Sequence, residues 1–246
     1  MKLYGLIGYP LGHSFSKQYF AEKFAREGIS DCFYEAFPIS AIDQFPSLIR
    51  DNPNLKGLNV TIPYKEQVLQ FVTQVTPEVK AIGAANCIKI EGEQLTAFNT
   101  DVIGFEQSFR QLLQPHHKKA LVLGTGGSSK AVQYVLQKLG IQFLLVTRQE
   151  DRGPGYINYD IIDEQIMQSY LVVINCSPAG MSPNNHTCPH LPYQFINSQH
   201  YLYDLVYKPA KTLFLQKGEE RGAQIQNGYK MLILQAEASW EIWNNT

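Results

Sequence analysis

The stretch KALVLGTGGSSKA, residues 119–131, limits what this chain can fold into more than any other. An apolar strand runs straight into Gly124, Thr125, Gly126 and Gly127, and a helical pattern follows at once over residues 127–139. Ala131 is small enough for that helix to lie close on the strand. Strand, glycine turn and helix in this order make one step of a parallel sheet, and the rest of the chain repeats the rhythm. Strand-like runs stand at 2–8, 31–39 and 55–63; Phe15, Tyr19, Phe20 and Phe24 recur at helical spacing after the first, with Gly28 as a stop. A second helix is expected over 64–72. AANCIKIEG and QLTAFNT flank a glycine turn and read as a hairpin. Val102, Phe105, Phe109 and Leu112 mark one face of a helix, after which the basic, proline-containing QPHHKK (114–119) breaks the pattern. Beyond the glycine loop come strands at 141–148, 170–178, 201–207 and 223–228, and a closing aromatic-rich helix over 229–243. The reading is an α/β protein of two α/β domains, residues 1–101 and 102–228, with the helix over 102–113 as connector.

Composition narrows the partners. A chain of 246 residues with 44% hydrophobic content can bury a sizeable core. A formal net charge of -1, with no dense Lys/Arg cluster, gives no reason to expect nucleic acid or an anionic membrane. Glycine and proline interrupt MKLYGLIGYPLGHS too early for a signal peptide and no run reaches transmembrane length, so a cytoplasmic protein is expected. Cys32, Cys87, Cys176 and Cys188 form no CxxC pair and read as reduced thiols. His186, Cys188 and His190 in NNHTCPH lack a distant partner pair for zinc, and no metal is expected. His116 and His117 read as solvated linker residues. Monomer and homodimer are both compatible with this sequence.

The glycine loop also has a chemistry. Glycines there let backbone approach a pyrophosphate, which the N–H groups of the helix N-terminus can then bind, although Ser129 stands where the usual G-x-G-x-x-G pattern has its last glycine. The next strand ends LLVTRQE. Arg148 there suits the 2′-phosphate of NADP, while Glu150 close by keeps NAD open.

Lys65 in KGLNVTIPYKEQV, residues 56–68, poses a different question. At the start of the helix expected over 64–72 a cation opposes the helix dipole, which makes it easier to deprotonate and suits proton transfer. Taken alone, Lys65 is more often a solvated lysine, and Ser14, Ser16 and Asp101 are equally helix caps. Asn86 is harder to set aside, because an amide in an apolar strand must find partners.

Together these pieces resemble the shikimate dehydrogenase family, in order and over nearly the whole chain. GHSFSK carries the family's serine pair, Ser14 and Ser16; NVTIPYK carries Asn-Val-Thr-x-Pro-x-Lys from Asn59 to Lys65; GAANC and NTDVIGF carry Asn86 and Asp101. NCSPAGM, DLVYKP and NGYKMLILQA complete the set, through Gly180, Met181, Asp204, Tyr207, Gly228, Met231 and Gln235. The resemblance implies an N-terminal substrate domain and a Rossmann domain flanking a cleft, with the last helix, 229–246, returning to the first domain. It implies NADP-linked, reversible reduction of 3-dehydroshikimate to shikimate, on the route to aromatic amino acids. Lys65 and Asp101 become the catalytic pair, and Ser14, Ser16, Asn59, Thr61, Asn86, Tyr207 and Gln235 the substrate-binding set. Cofactor binding falls to Gly124, Thr125, Gly126, Gly127, Ser128, Thr147, Arg148, Cys176, Ser177, Leu205, Gly228 and Met231.

The chain departs from the pattern in places. Cys87 stands where the family usually has threonine, the segment after Arg148 is acidic and proline-rich with Arg152 as a substitute clamp, and residues 149–170 are short for the family. A relative that uses quinate or NAD, and a non-catalytic binder of shikimate or nucleotide, are the other readings. Retention of both Lys65 and Asp101 argues against the binder.

Overall fold

The computed structural model describes residues 1–12, 15–149 and 153–245. Its contacts divide the chain into two compact units: Met1–Thr100 with Gln235–Thr246, and Asp101–Leu234.

In the first unit, β1 (Lys2–Ile7), β2 (Cys32–Phe37), β3 (Leu55–Val60), β4 (Gln74–Val75), β5 (Cys87–Glu91) and β6 (Gln94–Phe98) form one sheet in the order β2-β1-β3-β5-β6-β4. β1 is parallel to β2 and β3, whereas β5 runs antiparallel to β3 and β6. Successive side chains of a strand point to opposite faces, and this sheet buries both. Ile7, Leu58, Val60, Ile88 and Ile90 face a cluster that takes in Phe45 of α2 (Phe45–Asp51) and Val79 of α3 (Pro77–Ile82). Tyr4, Leu6, Tyr34 and Cys87 face the other way, against Phe20 and Phe24 of α1 (Phe15–Glu27) and Ala236 and Trp243 of the final helix. Lys23 of α1 is buried there and reaches Glu237 at 2.8 Å and Glu27 at 2.9 Å, while the Tyr19 hydroxyl also donates to Glu237.

The second unit holds a wholly parallel sheet in the order β12-β11-β10-β7-β8-β9. Its strands are β7 (Lys119–Leu123), β8 (Gln142–Thr147), β9 (Tyr156–Asn158), β10 (Val172–Asn175), β11 (Tyr201–Asp204) and β12 (Gln224–Gln226). The helices are α4 (Thr100–Phe109), α5 (Gly127–Lys138), α6 (Glu164–Ser169), α7 (Leu213–Glu219) and the first part of α8 (Tyr229–Asn244). Phe105 of α4 packs on Tyr203 and Phe109 on Tyr201. The chain leaves β7 for β8 on one side and later for β10 on the other, so the sheet has a switch point between β7 and β10.

Two expectations need correction. Residues 64–72 are not an α-helix; a run of turns leads into a 3₁₀ segment, Gln67–Phe71. An α-helix would need the Lys65 carbonyl for the N–H four residues on, but Ala85 N–H occupies it at 2.8 Å and Leu69 N–H bonds Glu66 instead. The dipole argument for Lys65 therefore has no helix to act through. His117 is buried rather than solvated: its Nδ1 accepts from Gln114 N at 2.9 Å, so its Nε2 donates to the Gln199 carbonyl at 3.0 Å and pins the QPHHKK turn.

Candidate active site

Strand direction decides which residues of the first unit meet. Because β5 opposes β3 and β6, the C-terminal ends of β1, β3 and β6 and the N-terminal end of β5 share one edge of the sheet. Thr61 lies just past β3, Asn86 just before β5, and Thr100 just past β6. Main-chain bonds lock them there: Thr61 N to Ile7 O at 2.9 Å, Val60 N to Asn86 O at 2.8 Å, and Ala85 N to Lys65 O at 2.8 Å. Lys65 is half-buried beside this edge, and Tyr64, its neighbour, is anchored by its hydroxyl on Ile39 O at 2.7 Å.

Side chains continue the assembly. Asn86 Oδ1 accepts from Thr100 N at 2.6 Å, and its Nδ2 donates to Thr100 Oγ1 at 2.9 Å and Gln235 Oε1 at 3.4 Å. Asn59 shares a strand face with Gly57, the face that α8 covers; its Nδ2 donates to Ser239 Oγ at 2.8 Å and Asn86 O at 3.3 Å. Its Oδ1 accepts from the Tyr34 hydroxyl at 2.9 Å. Ser16 stands in the first turn of α1. Asn59, Asn86 and Gln235 are thus brought together through Thr100 and Ser239, with Tyr34 bonded to Asn59. None of these three partners stands out in the sequence: Tyr34 reads as one more inward strand residue, and only the polarity of Ser239 among Ala236, Trp240 and Trp243 marks it. Ser14 and His13 lie outside the described residues, as do Glu150 and Arg152.

In the second unit, Asp101 is buried in the first turn of α4, where the helix dipole favours an anion. Tyr207 is half-buried, and burial pushes its hydroxyl above the ordinary tyrosine range. The loops after β7 and β10 meet at the switch point. Gly124 has φ +103°, and a Cβ there would come within 3.2 Å of Ser177 N and 3.3 Å of Cys176 O, so the position admits only glycine in comfort. Gly126 is the N-cap of α5, with no side chain capping the helix, and a Cβ built on it meets nothing within 4 Å. A glycine N-cap facing open space at a helix start suits a pyrophosphate, and the residues present fit a dinucleotide. Thr147 is buried at the end of β8, where its Oγ1 accepts from Gln149 N at 3.1 Å, and Arg148 next to it is exposed. Gly228 is pressed so closely on Leu205 that a Cβ there would collide with the Leu205 carbonyl oxygen, and Met231 is buried one turn later in α8.

Asp204 supports the Cys176–Ser177 loop from beneath. Its Oδ1 accepts from Asn175 Nδ2 at 2.9 Å and Val206 N at 3.0 Å, its Oδ2 accepts from Thr212 Oγ1, and Asn175 Oδ1 in turn accepts from Ser177 Oγ at 2.6 Å. Burial pushes the Asp204 carboxyl from its ordinary 3.8 up to about 6. A carboxyl with a raised folded-state pKa contributes stability that is complete below its unfolded value and lost as pH rises through the folded one. Asp204→Asn keeps Oδ1 for Asn175 and Val206 and can donate to Thr212 Oγ1. The variant is therefore expected to gain on the native protein between about pH 4 and pH 6, by at most about 3 kcal/mol. Denaturant midpoints of both proteins across that range check it, and parallel curves would refute it.

Among the described residues, no group of three or more His, Cys, Asp or Glu is placed to hold a metal ion, and no helix is long and apolar enough to cross a membrane. A family model for the shikimate dehydrogenase substrate binding domain matches residues 6–88. The shikimate dehydrogenase (NADP(+)) of Caldicellulosiruptor saccharolyticus is 34% identical over 260 residues, covering 98% of this chain and 91% of its own. The crystal structure of shikimate dehydrogenase from Aquifex aeolicus matches with a TM-score of 0.87 at 31% identity, covering 99% of this chain and 92% of that one. The shikimate 5-dehydrogenase of Thermus thermophilus, crystallised with NADP(H) and shikimate, matches with a TM-score of 0.87 at 27% identity, over 99% of this chain and 94% of that one. With about a third of its residues identical to such relatives over nearly its full length, and with the glycine loop and the Asn86–Gln235 contact in place, this chain belongs to the shikimate dehydrogenase family.

Proposed function

We propose that this protein interconverts shikimate and 3-dehydroshikimate with NADP as the redox partner, a step toward aromatic amino acids. The observation that supports this reading most is full-length similarity to NADP-linked relatives, joined to the gathering of Thr61, Lys65, Asn86 and Gln235 about one sheet edge. Ser14, Ser16, Thr61, Asn86, Tyr207 and Gln235 bind and orient the polar ring substituents, with Asn59 behind them. NADPH, when bound, supplies the hydride.

The chain's own residues must then manage a proton at the alcohol oxygen. Lys65 is the proposed acid and base there, and Asp101 the carboxylate that orients it and accepts a substrate hydroxyl; the two are best described as one coupled pair. Gly124, Thr125, Gly126, Gly127 and Ser128 hold the pyrophosphate, and Thr147 and Arg148 the 2′-phosphate. Cys176, Ser177, Leu205, Gly228 and Met231 complete the cofactor site.

The cofactor assignment is tested by initial rates with NADP and NAD for the native protein and Arg148→Ala. Loss of a charge-assisted phosphate contact is expected to raise the KM for NADP about tenfold to a hundredfold and to leave that for NAD unchanged. Equal use of NAD and NADP by the native protein would overturn the assignment.

A further inference from the structure

The motifs NCSPAGM and DLVYKP begin at the ends of neighbouring parallel strands, β10 and β11, whose last residues Asn175 and Asp204 stand side by side. Both side chains are fully buried, and so is Thr212, the N-cap of α7, whose hydroxyl donates to Asp204 Oδ2. The orientation of Asn175 can be worked out. The Ala179 carbonyl can only accept and the Ser177 N–H can only donate. The amide nitrogen therefore faces Ala179 O at 3.3 Å and Asp204 Oδ1 at 2.9 Å, and the amide oxygen takes Ser177 N at 3.1 Å and Ser177 Oγ at 2.6 Å. Ser177 Oγ in turn accepts from Ala179 N at 3.3 Å, which closes the loop on itself. Asp204 Oδ1 also takes Val206 N at 3.0 Å, and Leu205 N, between them, donates to the Asn175 carbonyl at 2.9 Å. One carboxylate thus holds two turns. Gly124 is pressed against the first, Cys176–Ser177, and Gly228 lies on the Leu205 carbonyl of the second.

We infer that Asp204, acting through Asn175, is a positioning residue for the dinucleotide: it fixes the turns after β10 and β11, so that Cys176, Ser177 and Leu205 are in place before the cofactor arrives. This rests on the proposed role of those three residues in the cofactor site. A loop of serine, proline, alanine and glycine would otherwise lose backbone freedom on binding, and holding it in advance removes that cost. Asp204 has both oxygens engaged inside the protein, so it serves the cofactor through these turns and not by contact.

The test uses the full chain, with NADP and shikimate varied separately. The native rate tests the reading on which the inference rests, and without NADP-linked turnover both fall. Given turnover, Asn175→Ala cuts the link between Asp204 and Ser177 and is expected to raise the KM for NADP about tenfold, with kcat and the shikimate KM within about twofold. Asp204→Ala should raise the NADP KM at least as much. Asp204→Asn keeps the bonds to Asn175 and Val206 and should stay within about twofold of the native protein. Should Asn175→Ala fail to fold, the same substitution is made on the Asp204→Asn background, which is expected to be more stable, and the tenfold rise is read against Asp204→Asn. An unchanged NADP KM in the folded Asn175→Ala variant, a shikimate KM that rises as far, or an Asp204→Asn variant as impaired as Asp204→Ala would overturn the inference while leaving the proposed function standing.

Discussion

Lys65→Ala is expected to lower kcat by about 10²–10⁴-fold, the range for removal of a positioned acid or base. The fold gives a reason to expect that loss without unfolding. The Lys65 main-chain carbonyl accepts from Ala85 N at 2.8 Å, and alanine keeps that bond. The apolar anchors of the segment are its buried neighbours Tyr64 and Val68. Shikimate affinity, measured by equilibrium titration, should change far less than kcat, because the polar contacts assigned to Ser16, Thr61, Asn86 and Gln235 remain. A variant with native kcat would remove Lys65 from the chemistry. A variant with an equally large fall in thermal midpoint would make its role structural.

Trp243→Ala is expected to destabilise the first unit by about 3–5 kcal/mol, as for other large buried aromatics cut to alanine. The indole stacks on Tyr4 at 5.0 Å, donates Nε1 to Ile88 O at 3.0 Å, and lies so close on Gly57 that a Cβ there would collide with the ring. Its removal leaves a cavity in the aromatic cluster and a strand carbonyl without that donor. Gln235 and Ser239 stand on the same helix, so the shikimate KM should rise together with the loss of stability. Denaturant unfolding measures the first effect and initial rates the second; a loss below about 1 kcal/mol would show that the cluster tolerates the cavity. Gly57→Ala should reproduce both effects from the opposite side, since it drives the ring out.

The strand rhythm was legible because these sheets bury both faces, so their strands read as apolar runs, and because the glycine loop marks the entry to α5 without ambiguity. The failures share a cause in contacts distant along the chain. Residues 64–72 have local helix character, but Ala85 takes the carbonyl that a helix would need. α2, α3, α6 and α7 run to six or seven residues each, too short for a period to show. His117 looks like a linker residue until Gln199, far along the chain, is brought to it. For the site, residue type alone gave Lys65, Asp101 and Asn86 as candidates among equals, and only family resemblance joined them to Gln235. Tyr34 and Thr100 could not be read at all, and Ser239 only by its polarity on an apolar helix, because their role is set by which strand face and helix face meet.

The most direct measurement of the central claim is the initial rate of nicotinamide reduction by purified protein given shikimate and NADP, run beside shikimate with NAD and quinate with either cofactor. Fast reduction of NADP by shikimate, with the other pairs far behind, is the predicted result. A quinate or NAD rate equal to it, or no reduction in any pair, would contradict the account.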